Sequence, residues 1–261
     1  MFDAAQNWTA IILAGQRPGI DPLASAFGET FKALVNVAGV PMLTRVAETL
    51  LKAPSIGGIV VLGQEPEILS PALPHDSRIA ILASGRGISD SIQAVAGTTD
   101  APWPVLVTTA DHPLLTVEMI EDFIAGAQGY DVAVAMVERR TVLARYPDNT
   151  RTWRHFRGGA YSGANLFALA SGRSRAALSL WAGAEADRKR QLGLLLHFGL
   201  PLALRAITRT ISLQDGIAAA GKRLGLKARA VVLDQAEAAI DVDKLSDHVL
   251  VERILADRVK V

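Results

Sequence analysis

The sequence predicts an α/β protein built on a doubly wound, mostly parallel sheet. Short β-branched runs bounded by Gly, Pro or Asp recur through the first half, and segments of helical spacing alternate with them. Strand, helix, strand at such intervals needs crossover connections, and these give parallel neighbours. The third observation is bulk: of 261 residues, 50% are apolar and 20% charged, enough to bury a sizeable core and inconsistent with disorder or a coiled coil.

Taken in order, the expected strands are TAIILAG (9–15), GGIVVLG (57–63), RIAILAS (78–84), WPVLVTTA (103–110) and DVAVAMVE (131–138), each read as buried on both faces. Helical spacing covers Pro41 to Lys52, Ile88 to Ala96 and Thr116 to Ala127. Pro41 suits a first helical turn and Thr116 a cap. Beyond residue 150 the pattern is less regular. RTWRHFRGGAYSGANLFAL, with Gly158, Gly159 and Gly163 among aromatic residues, reads as a loop or short strands. Ser174 to Leu204 and Leu213 to Leu224 read as helices, ARAVVLD (228–234) as a late strand and Asp243 to Val259 as a closing helix. Without a repeat or low-complexity linker, residues 1–261 are expected to form one domain.

Composition narrows the chemistry. The absence of cysteine excludes disulfide scaffolds, thiolate metal sites and cysteine nucleophiles. The N-terminus has no basic region ahead of its apolar run, so a cytoplasmic, soluble protein is expected. Charge is uneven: residues 1–150 carry 9 basic and 16 acidic side chains (net −7), residues 151–230 carry 14 and 3 (net +11), and residues 231–261 carry 4 and 7 (net −3). A segment at +11 calls for anions, from a phosphorylated substrate, a nucleotide, a lipid surface or the acidic remainder of the chain. Without interleaved aromatic residues a nucleic-acid partner is not expected. The Leu192–Leu204 stretch beside these charges would suit a membrane surface, but an internal helix pair around Pro201 is the preferred reading.

The first strand opens into LAGQRPGIDPLASAFGETFK. A glycine-bearing loop at the carboxyl end of the first parallel strand is where doubly wound folds bind nucleotides, because glycine lets backbone N–H groups approach phosphate closely. Gly15 and Gly19 supply the loop, bracketed by Arg17 and Lys32. Lys32 is either a triphosphate ligand or a surface lysine after a turn. The pattern is neither GxGxxG nor a P-loop. At the tip of the fourth strand Asp111 faces the ligand crevice, where a carboxylate either holds Mg²⁺ or caps the next helix. Downstream, Asp241 and Asp243 stand two apart in AAIDVDKLSDH. Asp241 is assigned to the metal and Asp243 to capping, with Asp243 kept as the alternative ligand.

Together these residues resemble the nucleotidyltransferase superfamily of MobA-like and cytidylyltransferase-type enzymes, and the resemblance spans nearly the whole chain. It implies a Rossmann-like sheet of the nucleotide-diphospho-sugar transferase (GT-A-like) type. In LAGQRPG, the counterpart of the family's Leu-Ala-(Ala/Gly)-Gly-x-Gly-x-Arg loop, it implies that Leu13, Ala14, Gly15, Gln16 and Gly19 bind the nucleotide, with Arg17 and Lys32 on its phosphates. TADHPLL resembles the family's metal-binding strand end, making Asp111 catalytic and metal-binding, and AIDVDKL resembles the second metal segment through Asp241. SGRGISDS resembles the base-recognition segment of cytidylyltransferases, with Ser84, Gly85 and Ser91 at the matching positions, and GGAYSGANLFAL resembles an acceptor loop through Gly163 and Asn165. Residues 1–150 then form the NTP-binding half and 151–261 the acceptor-binding and closing half.

The implied reaction is Mg²⁺-dependent transfer of NMP from an NTP, CTP ahead of GTP, to a phosphorylated small-molecule acceptor, with release of pyrophosphate. A glycosyltransferase of related fold is one alternative, weakened because His112 and Pro113 stand where an Asp-x-Asp motif needs its second acid. A non-catalytic nucleotide-binding module is the other. Neither acceptor identity nor oligomeric state is legible.

Overall fold

The structure is a computed structural model that describes residues 7–16, 19–85, 87–186 and 200–258. Strands β1 (Trp8–Leu13), β4 (Ile56–Gly63), β5 (Ile79–Ala83), β6 (Val105–Thr109), β7 (Val132–Glu138), β8 (Arg154–Phe156), β9 (Gly159–Leu169) and β10 (Ala228–Leu233) form one eight-stranded sheet in the order β10-β7-β9-β6-β1-β4-β5, with β8 paired to β9. β2 (Asn36–Val37) and β3 (Val40–Pro41) form a separate hairpin. Pairings of β1 with β4 and β6, of β4 with β5 and of β7 with β10 are parallel, while β9 runs antiparallel between β6 and β7. The expected doubly wound, mostly parallel sheet is present.

Period-2 alternation sorts the strand side chains onto two faces. Ala10, Ile12, Ile59, Val61 and Leu106 face one layer, where helices Met42–Lys52 and Val117–Ala127 contribute Leu43, Val46, Leu50, Ile120 and Phe123. Ile11, Val60, Leu62, Val105 and Val107 face the other, against Ile92 and Val95 of helix Ile88–Val95 and Leu178 of helix Arg175–Ala186. The β1, β4 and β6 runs are buried on both faces, as expected. Two strands differ: β5 is half-buried because it forms the sheet's edge, and β7 alternates between buried and half-buried positions. Thr116 caps its helix as anticipated, its hydroxyl accepting from the Met119 amide at 3.2 Å.

The glycine-rich stretch after residue 150 is more regular than its composition suggests. β9 is eleven residues long because it fills the slot between β6 and β7, and its ladder bonds outweigh the weak strand propensity of five small residues in its first six. Gly158, at φ +96°, makes the tight turn from β8 that an L side chain would strain. Of the helical stretch expected from Ser174 to Leu204, helices Arg175–Ala186 and Leu200–Ile207 are described, and residues 187–199 lie outside the described set. The buried helix pair expected around Pro201 does not hold for the second of these: Leu200, Leu204 and Ile207 are 70%, 59% and 59% exposed, and among its described side chains only Ala203 is fully buried. The i, i+4, i+7 spacing that reads as a core stripe therefore lies on its outer side. No helix among the described residues is long and apolar enough to cross a membrane.

A third apolar cluster docks the segment after β1 and the turn after β6 against the last helix. Leu23, Val35, Val37 and Met42 from the segment after β1 meet Leu114 after β6, Ile240 and Val242, and Val251, Ile254 and Leu255 of the last helix, Leu245–Arg258. Polar ties reinforce it. The Ala38 amide donates to Glu252 Oε1 at 2.6 Å, and His248 Nε2 lies 2.7 Å from the Asn36 carbonyl. Leu114 is fully buried at its centre, so Leu114→Ala should cost about 2–5 kcal/mol by loss of transfer energy plus a cavity. Urea denaturation monitored by circular dichroism checks this, with an unchanged m-value expected.

Candidate active site

Backbone bonds that continue the ladders past the strand ends align the site. Ala14 N–H donates to Leu62 O, Ser84 N–H to Gly63 O and Ala110 N–H to Leu13 O, at 2.8, 2.8 and 3.0 Å. They place Gly15, Gln64, Ser84 and Asp111 along one rim at the carboxyl edge of β1, β4, β5 and β6, where parallel α/β sheets bind ligands. Leu13 and Ala14 have side chains in the two core layers and backbone groups in the sheet, so the loop's exposed peptide groups begin at Gly15. A Cβ at Gly15 would sit 3.1 Å from the Gln64 amide.

Gln16 ties this loop to the next segment. Its amide donates to Gln64 Oε1 (3.1 Å) and its carbonyl accepts from Gln64 Nε2 (2.6 Å). Its own side chain accepts from the Lys32 amide (3.2 Å) and donates to the Thr30 carbonyl (3.0 Å). Gly19, at φ +107°, turns the chain toward helix Pro22–Ala26, whose first turn is capped by Asp21. Arg17 lies outside the described residues.

Lys32 is not a free surface lysine. Its ammonium donates to Asp111 Oδ2 at 2.6 Å and to Asp243 Oδ1 at 2.7 Å, joining three segments far apart in sequence. Burial alone would lower the Lys32 pKa, but the two carboxylates outweigh it and raise it above the ordinary lysine value. The other oxygen of Asp111, Oδ1, is buried and has no hydrogen-bond partner. The Val242 amide donates to the Asp111 carbonyl at 2.9 Å, and this fixes the late acidic segment beside β6.

That segment is extended, with buried Ile240 and Val242 alternating with Asp241 and Asp243. It leaves a helical turn, Ala236–Ala239, anchored by the buried Glu237 carboxylate, which accepts from the Tyr146 hydroxyl at 2.6 Å and pairs with Arg145 at 3.2 Å. The two aspartates then part company. Asp241 receives both terminal nitrogens of Arg151, at 2.7 and 3.2 Å, and the Asn165 amide at 3.0 Å. Although burial works to raise the Asp241 pKa, these donors hold it below the usual carboxylate range. Asp243, 65% exposed, takes Lys32. Its expected capping role is not seen. Asp247 does that work, reaching back to the Asp243 and Lys244 amides at 3.2 and 3.1 Å.

Asn165 occupies the left-handed region (φ +50°), where the register of β9 against β7 slips. Asparagine tolerates that conformation better than most residues, and the bulge brings its side chain to Asp241. Two residues earlier Gly163 is exposed, and a Cβ there would meet nothing within 4 Å, leaving open space over β9. At the β5 tip, the Gly85 amide donates to Ser91 Oγ (2.9 Å), which donates to the Gly87 carbonyl (2.6 Å). Ser91 therefore shapes the turn, while the buried Ser84 hydroxyl has no hydrogen-bond partner.

Lys32, Asp111 and Asp243 thus meet directly, Asp241 and Asn165 form a second cluster, and Ser84, Gly85 and Ser91 a third. Sequence reading missed three residues. Gln64 was signalled by its place one residue past a buried strand, and Arg151 by opening the basic segment. His112 was weighed only as a missing acid. It is almost fully buried, and neither ring nitrogen makes a well-directed hydrogen bond. Burial dominates its titration and lowers its pKa to about 4, against the opposing pull of Asp241 and Asp111. Between about pH 6.5 and 4 the unfolded chain takes up a proton that the folded one refuses, so stability falls with pH across this window. The pKa difference makes the loss about 3 kcal/mol. His112→Leu should flatten that part of the stability profile, measured by urea denaturation in EDTA at pH 4.5, 5.5 and 7.

Comparison with known proteins fits this geometry. Residues 10–192 match the family model of the MobA-like NTP transferase domain. A probable molybdenum cofactor guanylyltransferase from Natronomonas pharaonis is 30% identical over 139 residues, which span 50% of this chain and 62% of that protein. A hypothetical transferase from Thermus thermophilus superposes with a TM-score of 0.78 at 30% identity, covering 93% of this chain and 99% of that one. The 4-diphosphocytidyl-2C-methyl-D-erythritol synthase of Anaerococcus prevotii shares the fold at a TM-score of 0.60 and 12% identity, over 97% of this chain and 100% of that one. With more than half of its length matched by the family model and a rim of glycine loop, lysine and aspartates to account for, this chain belongs to the MobA-like NTP transferase family.

Proposed function

We propose that the chain transfers a nucleoside monophosphate from an NTP to a phosphorylated small-molecule acceptor, releasing pyrophosphate, as a single domain whose 1–150 half holds the NTP. The observation that carries this reading is the meeting of Lys32, Asp111 and Asp243 at the carboxyl rim of the sheet, beside a glycine loop. An acceptor phosphate oxygen attacks the α-phosphorus, the new P–O bond forms, and the bond to the bridging oxygen breaks with its electron pair leaving on pyrophosphate. Such chemistry asks mainly for positioning and charge neutralisation. Peptide groups from Gly15 onward and the Lys32 ammonium hold the phosphates, with Arg17 assigned to the same task. The anionic acceptor brings its own nucleophilic oxygen, so no general base is needed. Arg151, Asn165 and the space over Gly163 line the acceptor side, which lies in the basic part of the chain.

Mg²⁺ is the proposed cofactor, and the orphaned Asp111 Oδ1 is the feature that suits a hard cation. Asp111 and Asp243 would hold it, in preference to Asp241, whose two oxygens already serve Arg151 and Asn165. Bound there, it would neutralise charge on the phosphates.

For the base we propose CTP, on the likeness of the Ser84–Ser91 turn to cytidylyltransferases, with the unpartnered Ser84 hydroxyl as the reading group. GTP is the second reading, favoured by the guanylyltransferase relative. A thermal-shift series with the four NTPs and Mg²⁺ tests both, since a ligand of the folded state raises the melting temperature. The largest shift is expected with CTP, and no shift with any NTP would refute the assignment.

Two substitutions separate the neighbouring acids. Asp243→Asn should lower turnover by about 100- to 1,000-fold, the loss typical of removing one preorganised electrostatic group, with the melting temperature nearly unchanged. Asp241→Ala strands the largely buried Arg151 and should cost about 3 kcal/mol of stability. Pyrophosphate release and thermal melts, run on both variants, give the comparison.

A further inference from the structure

Two negative side chains and a single ammonium make an unusual arrangement at a site assigned to a divalent ion. Asp111 Oδ2 and Asp243 Oδ1 both approach Lys32 Nζ, at 2.6 and 2.7 Å, so the ammonium bridges the pair that would otherwise bridge a cation. A divalent ion held by both Asp111 and Asp243 would have to lie between the two carboxylates, in the space the ammonium fills, so the two cations compete for it. The lysine is built to leave without disturbing its backbone. Its amide is held by Gln16 Oε1 and its carbonyl accepts from the Val35 amide, so exchange involves only the flexible four-carbon side chain. What it needs on leaving is another anion, since an ammonium expelled from two carboxylates without a new partner gives up both ion pairs. The glycine loop tied to Lys32 through Gln16 is where the triphosphate is assigned, so that anion arrives beside the lysine.

We propose that Lys32 is a place-holding counter-ion: in the nucleotide-free protein its ammonium occupies the position between Asp111 and Asp243 that a divalent cation takes only when a triphosphate is present to receive the lysine. Metal alone is therefore kept out, and metal and nucleotide load together. The inference rests on the reading of Lys32, Asp111 and Asp243 given above and adds an order of events to it. It also explains how two carboxylates can be held at one point in the free protein without mutual repulsion.

The test is direct Mn²⁺ binding, followed by electron paramagnetic resonance, with and without a non-hydrolysable α,β-methylene NTP. Wild-type protein should bind Mn²⁺ weakly alone and at least about tenfold more tightly with the nucleotide, a coupling within the usual allosteric range. Lys32→Gln should bind Mn²⁺ without nucleotide at least about tenfold more tightly than wild type, and Lys32→Arg, which keeps the charge, should not. The gain should vanish when Asp111→Asn is added to Lys32→Gln. Equal Mn²⁺ affinity of the wild type with and without nucleotide overturns the place-holder, and this arm needs no variant to fold. So does a Lys32→Gln protein, shown folded by its melt, that gains nothing while Asp111→Asn still weakens nucleotide-supported Mn²⁺ binding. In that case the metal site itself stands. If Asp111→Asn leaves nucleotide-supported binding intact, the site assignment fails and the place-holder falls with it.

Discussion

The Lys32 ammonium shared by Asp111 and Asp243 is the interaction on which the site's architecture turns. It is short, partly buried and made by residues from three separate stretches of chain, so side-chain entropy alone would keep it from forming in a loose structure. The apolar cluster of Leu23, Val35, Leu114, Val242 and Val251 removes that cost by docking the lysine segment, the turn after β6 and the closing helix against one another. Hydrophobic burial does the positioning here and electrostatics does the chemistry, since an ion pair of this exposure contributes little net stability of its own.

Asp241 and Asp243 show how environment divides two identical side chains. In an extended segment both project to the same side, and the local cue that ranks them, the place of Asp243 before the last helix, points the wrong way. What separates them is tertiary: β9 slips its register, Asn165 enters the left-handed region, and its amide and Arg151 together claim Asp241. Asp243, one step nearer the last helix, is left for Lys32. The capping falls to Asp247, four residues on, whose Oδ2 accepts from the Asp243 and Lys244 amides.

This division marks the limit of what the sequence reveals. Strands β1, β4 and β6 were legible because they are buried on both faces, which leaves a continuous apolar run as their signature. Helix Val117–Ala127 was legible through Thr116 and its i, i+3, i+4 spacing. The rim residues Gly15 and Asp111 could be found because strand ends in such a fold face the ligand, and Lys32 only through its likeness to the family's lysine. β9 was not legible as one long strand, since its glycines lower local propensity and its stability comes from partners on both sides that are remote in sequence. The outward stripe of Leu200, Leu204 and Ile207 misled for a related reason: helical spacing reports which residues share a face, not what that face meets. Arg151 escaped because its significance lies wholly in Asp241 and Ser162, which contact it only after folding.

Charge follows the same logic. Residues 1–150 are acidic and residues 151–230 basic, yet the site does not simply set one against the other. Two clusters near the rim each contain their own pair of opposite signs: Lys32 with Asp111 and Asp243 on the proposed nucleotide side, Arg151 with Asp241 on the proposed acceptor side. A polyanionic ligand entering between them meets cations that are already held in place and screened by carboxylates. It must therefore compete for them, which favours ligands carrying enough charge to win, such as a triphosphate, over weak monoanions. On the proposed reading, pre-formed internal pairs thus convert a general attraction for anions into a threshold.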